Sequence, residues 1–91
     1  MQQAAGRIVE QICRSIPGTW NCGILEGDIE ARSLKCSFFV PGDRNPRRLD
    51  VDRSILAEIA VLRKISLQEG KPWTEFTIVF ENTGRFQMML R

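Results

Sequence analysis

Glu26, Asp28 and Glu30 stand at alternate positions of an extended-looking segment, so the strand period places three carboxylates on one side of it. Carboxylates grouped in this way can move protons or hold a hard cation. Either task needs a partner donor or a loop of ligand-spaced oxygens, and the neighbouring sequence offers neither. Two plainer readings stay open: a solvated strand end, and a surface complementary to a basic protein, where local charge speeds encounter and fixes orientation. No catalytic residue and no metal ligand is expected among the three.

Arg44, Arg47, Arg48 and Arg53 form a second group, in or beside a long loop. Asp43, Asp50 and Asp52 offset three of these four charges, so the segment is less lopsided than a strong phosphate-binding patch. It reads as local salt bridging or a protein interface, where arginine is favoured. The alternative is a small nucleic-acid-binding or regulatory module that uses the Arg44–Arg53 segment. Across the chain, thirteen basic and eleven acidic residues leave +2, which singles out neither nucleic acid nor membrane as partner.

Histidine and tyrosine are absent, which removes the commonest general base and metal ligand. There is no Gly-rich phosphate loop, nucleophile elbow or histidine-containing triad. The inventory argues against an enzyme, and no cofactor is expected. Cys13, Cys22 and Cys36 are odd in number and form no Cys-x-x-Cys pair; they read as small buried hydrophobes. Cys22 and Cys36 are placed to be cross-strand neighbours, yet a disulfide between them conflicts with a reducing cytosol. Trp20 and Trp73 read as lids on the core or, second, as exposed anchors for a partner.

The elements that must carry these residues follow from periodicity. Ninety-one residues, 43% of them hydrophobic, fit one domain over 1–91. No run is long enough to span a membrane, and the first residues lack the apolar core of a signal peptide, which points to the cytoplasm. From Gln2 to Ser15, the residues Ala5, Ile8, Val9, Ile12 and Cys13 draw one apolar stripe on a helix that Pro17-Gly18 ends. A second helix is predicted from about Val51 to Gln68, capped by Asp50 or Asp52 and stopped by Gly70.

Strands are predicted over Trp20–Ile29 and Leu34–Val40, paired as a hairpin. Leu34, Cys36, Phe38 and Val40 point inward. In the first strand Trp20, Cys22 and Ile24 share one parity while Leu25 and Ile29 share the other; a bulge at Gly23 or Gly27 would reconcile them. Two registers are compatible with the pattern, Ile24 opposite Leu34 or Ile29 opposite Ser33. Pro41 to Pro46 reads as a loop that Arg47-Arg48 extend to Leu49. A closing hairpin alternates Thr74, Phe76, Ile78 and Phe80, turns at Asn82-Thr83-Gly84-Arg85, and alternates again at Phe86, Met88 and Leu90. The fold class is α+β in the order α-β-β-α-β-β, with one antiparallel sheet of about four strands and both helices on one face.

Three stretches resemble the YezG-like immunity proteins of bacterial toxin systems: Ile12 through Ile16-Pro17 and Trp20, Lys71-Pro72-Trp73-Thr74, and Gly84-Arg85-Phe86. The resemblance spans most of the chain, and its most specific part is Pro-Trp-Thr followed by Gly-basic-Phe. It implies a small cytosolic α/β protein that binds and neutralises a cognate toxin, commonly a nuclease, delivered between competing bacteria in contact-dependent growth inhibition or by secretion. Such a protein has a protein partner and no direct contact with nucleic acid or membrane. The chain departs from the family in its slightly basic balance and its lack of tyrosine. The matching residues are structural, so no toxin contact is carried over. On charge alone, Glu26, Asp28 and Glu30, and secondarily Arg44, Arg47 and Arg48, are the expected rim of the toxin interface.

Overall fold

The computed structural model describes residues 2–31, 33–52, 54–70 and 72–91. Helix α1 (Gln2–Ser15) precedes strands β1 (Cys22–Asp28), β2 (Ser33–Phe39) and β3 (Arg47–Leu49); helix α2 (Ser54–Gln68) leads to β4 (Glu75–Glu81) and β5 (Phe86–Leu90). The α1 stripe is buried at Ala4, Ala5, Ile8, Val9 and Ile12, as its spacing dictates, and Gly18 turns the chain at φ 74°. At α2 the cap is Asp52: its carboxylate accepts the Ser54 backbone N–H at 3.1 Å and its carbonyl accepts that of Ile55, so the helix starts later than Val51. Gly70, at φ 72°, ends it.

The five strands form one antiparallel sheet in the order β3-β2-β1-β4-β5. The fifth strand, β3, lies in what reads as loop. Its three residues carry no alternation, and only pairing with Cys36, Ser37 and Phe38 makes them a strand. Ile8, Val9 and Ile12 of α1 and Ile55, Ile59 and Leu62 of α2 enter the same core, so both helices cover one face. Arg7 and Glu58 link the helices at 3.0 Å. Among the described residues, no helix is long and apolar enough to cross a membrane.

The first hairpin departs from both sequence-compatible registers. Leu25 pairs with Cys36 and Ile24 with Ser37, an offset of odd parity relative to each, and β1 pairs regularly with both neighbours from Cys22 to Asp28 without a bulge. Cys22 and Cys36 therefore lie on opposite faces, and all three cysteines are free. The inward side of β1 is Gly23, Leu25 and Gly27, which turns Cys22 and Ile24 outward.

The physical reason lies on β4. Gly23 pairs with Phe80 and Gly27 with Phe76, and each ring lies over its glycine. A β-carbon at Gly23 would stand 2.3 Å from Phe80 Cζ, and one at Gly27 2.3 Å from Phe76 Cε1, so neither position accepts a side chain unless the ring moves. Trp20 meets Phe80 edge-on and Trp73 meets Phe76 likewise, each with centroids 5.7 Å apart. Each tryptophan precedes by three residues the strand residue at its end of the ladder, Gly23 or Phe76. Because β1 and β4 are antiparallel, the two indoles close opposite ends of the same core. Both are buried lids rather than exposed anchors.

Candidate binding face of the sheet

With both helices on one side, the other side of the sheet is uncovered, and cross-strand pairing sets what it shows. One row runs Arg48, Ser37, Ile24, Val79, Gln87; the next runs Lys35, Glu26, Thr77, Met89. A third places Ser33, Asp28 and Glu75 side by side, with Arg91 bonded to Glu75 through the backbone. A half-buried apolar centre, Ile24 and Val79, is thus bordered at one end by carboxylates. Met89 extends it at 47% exposure.

That end forms a shallow depression of about 380 Å³ lined by Glu26, Asp28, Ser33, Lys35, Glu75 and Arg91, among others. Asp28 Oδ1 accepts the Ala31 N–H at 3.1 Å, which closes the β1–β2 turn and holds the carboxylate at the rim. Asp28 and Glu75 face each other across the ladder. Like charges so placed destabilise a sheet, an expense that a cationic partner would relieve. Lys35 opposes Glu26 and moderates the field on the β2 side. Among the described residues, no group of three acidic or cysteine side chains is arranged to hold a metal ion.

The sequence-derived sites are only partly brought together. Glu26 and Asp28 share the open face, whereas Glu30 sits exposed in the turn after β1. The strand ends at Asp28, so the period that aligned the three acids stops before the third. The arginines separate as well. Arg48 pairs with Ser37 on the open face, Arg47 with Phe38 on the opposite parity, and Arg44 is exposed in the loop. Arg47 Nε lies 3.8 Å from Asp43 Oδ2, the local pairing that the neighbouring aspartates suggested. Arg53 lies outside the described residues, as does Lys71 of the Lys-Pro-Trp-Thr stretch.

Glu75, Lys35 and Arg91 belong to this end of the face and are missed by sequence reasoning. The parity of Glu75 with Thr77 and Glu81 marks it as outward. Nothing local, however, pairs β4 with β1 and so sets it beside Asp28.

The thiols sit apart from this acidic end. Burial pushes Cys36 up to about 11, with a smaller contribution from Cys13, and burial likewise raises Cys13. Cys36 is on the helix side, a packed thiol rather than a reactive one. No protein-family model matches the chain and no curated protein matches it, so the roles of these residues rest on their geometry alone.

Proposed function

We propose that this chain is an immunity protein: it binds a cognate bacterial toxin in the cytoplasm and neutralises it by covering the active site or the path of the substrate. The observation that carries the reading is the one-sided sheet. Its uncovered face joins an apolar centre, Ile24, Val79 and Met89, to an acidic end, Glu26, Asp28 and Glu75. An apolar core with a charged rim is the anatomy of a protein interface. Glu26, Asp28 and Glu75 exceed Lys35 and Arg91 at this end by one negative charge, a sign compatible with a nuclease, whose substrate groove must be positive to hold a phosphate backbone. The same carboxylates repel nucleic acid, and Arg47 and Arg48 point to opposite sides of β3 while Arg44 lies in the loop before it, so these three give the nucleic-acid reading no concentrated patch.

A complex of this kind needs roughly 600–1,000 Å² from each partner. That the partner is a bacterial toxin comes from the sequence resemblance of Pro72-Trp73-Thr74 and Gly84-Arg85-Phe86 to immunity proteins, and the open face by itself supports only a protein partner.

Co-expression with the neighbouring reading frame tests it. The expected result is a stoichiometric complex and survival of cells that the neighbour alone kills. A harmless neighbour that forms no complex would overturn the proposal. The face is tested separately with E26K/D28K/E75K. Reversal should weaken the complex at least about tenfold and flatten its salt dependence, since rim charges act on encounter. Unchanged binding with unchanged salt dependence would remove this face from the interface.

A further inference from the structure

The two edges of the sheet are unlike. β3 is three residues long, two of them arginines, and follows Pro46, all features that discourage further pairing. β5, Phe86–Leu90, is uncharged throughout and has no proline. Glu81 N–H donates to Arg85 O at 2.8 Å, and Glu75 and Arg91 exchange both bonds at 3.1 and 2.9 Å. Antiparallel alternation then turns the backbone of Arg85, Gln87, Met89 and Arg91 toward β4. The N–H and C=O groups of Phe86, Met88 and Leu90 face the free edge.

We infer that this edge takes an added strand from a protein partner: an extended segment with two acidic residues six positions apart and apolar residues at the alternate positions between them. The inner side of β5 already shows the match. Its β4 partner presents Glu75 opposite Arg91 and Glu81 opposite Arg85, with Phe76, Ile78 and Phe80 between them opposite Leu90, Met88 and Phe86.

Among the described residues neither Arg85 nor Arg91 is in an ion pair, and both are exposed; Arg91 lines the depression that also holds Glu75, and Arg85 lies near Glu81, so an arriving acid would share each guanidinium with a carboxylate of β4. A second copy of this chain fits worse. Antiparallel self-pairing centred on Met88 would set Arg85 against Arg91 at both ends, and like charges directly opposite destabilise. Main-chain bonds would give such a segment its affinity, and the side-chain spacing its specificity. The inference concerns an edge rather than the open face and holds for any protein partner, so it does not depend on that partner being a toxin.

The test needs no toxin. The probe is a synthetic peptide of residues 74–82, Thr-Glu-Phe-Thr-Ile-Val-Phe-Glu-Asn, titrated into the intact chain while amide resonances and hydrogen exchange are followed. The peptide should shift and protect the amides of Phe86, Met88 and Leu90, and its E75K/E81K version should bind about tenfold more weakly. In the R85E/R91E chain, once unchanged exchange protection of β4 has shown that the ladder tolerates Glu opposite Glu81 and Glu75, the preference should reverse in favour of the lysine-ended peptide. Met88→Pro removes an edge-facing N–H that no strand uses and should abolish binding.

Equal binding of the two peptides would overturn the inference, as would an absence of change at the three edge amides. Loss of protection in β1 and β4 would overturn it as well, because the peptide would then be replacing β4 rather than adding to β5.

Discussion

On its helix side, β4 buries Phe76, Ile78 and Phe80, while on its open side the same strand shows Glu75, Thr77, Val79 and Glu81. β1, whose two parities leave its inward face undecided in the sequence, puts Cys22, Ile24 and Glu26 on the open side, and glycines flank Leu25 on the packed side. The two faces therefore draw their stability from different sources. The packed face depends on rings reaching over glycines from a neighbouring strand. The open face depends on cross-strand contacts among half-buried side chains such as Ile24 and Val79, with exposed ones such as Glu26, Glu75 and Met89 around them. Packing should make the first intolerant of change in either direction, and the second tolerant of change until a partner arrives.

The largest expected break in this contrast is Phe80→Ala. Removing a fully buried ring that also covers Gly23 and meets Trp20 should cost about 3–5 kcal/mol in urea unfolding, whereas Val79→Ala, one residue along on the open side, should cost under about 1.5 kcal/mol. Comparable losses at the two positions would mean that the open side is packed too.

Gly23→Ala comes next. Its new methyl would meet Phe80 and, at 2.8 Å, the Ser37 carbonyl, so overpacking should cost about 1–3 kcal/mol. Trimming the ring in the Gly23→Ala/Phe80→Leu double variant should recover part of that loss, and a double-mutant cycle measures the coupling. Strict additivity would show that ring and glycine are not the matched pair described.

The last effect is confined to alkaline pH. The folded chain holds the Cys36 proton up to about 11, against an ordinary value of 9.0. Stability from this group is thus fully present below pH 9 and is lost as the pH rises from 9 through about 11. The urea midpoint should fall more steeply across that window in the native chain than in Cys36→Ala. Identical slopes would mean that this thiol is not held in its neutral form by the packed face.

Much of this architecture is legible in the residues. The α1 stripe, the inward parity of β2, β4 and β5, and the glycine turn at Gly84 all follow from local period and backbone chemistry. The failures have one cause, which is dependence on residues distant in the chain. β1 reads as ambiguous because the bulk filling its packed side belongs to Phe76 and Phe80, about fifty residues later. β3 reads as loop because three residues between Pro46 and Asp50 carry no period of their own. Of the candidate site, Glu26 and Asp28 are found from spacing. Glu30 is misplaced because a turn interrupts that spacing, and Glu75 is missed because its neighbour is chosen by the sheet.

By itself, then, the sequence determined the elements and most of their inward faces, since helix and strand periods, caps and turn glycines act over a few residues. It also determined the charges available and the absence of histidine and tyrosine. Tertiary structure decided the strand order, the register of the first hairpin and which side of β1 is buried. It also decided which charges share a face. These choices rest on how rings from one strand fill the space over glycines of another, and such contacts exist only once the chain has closed on itself.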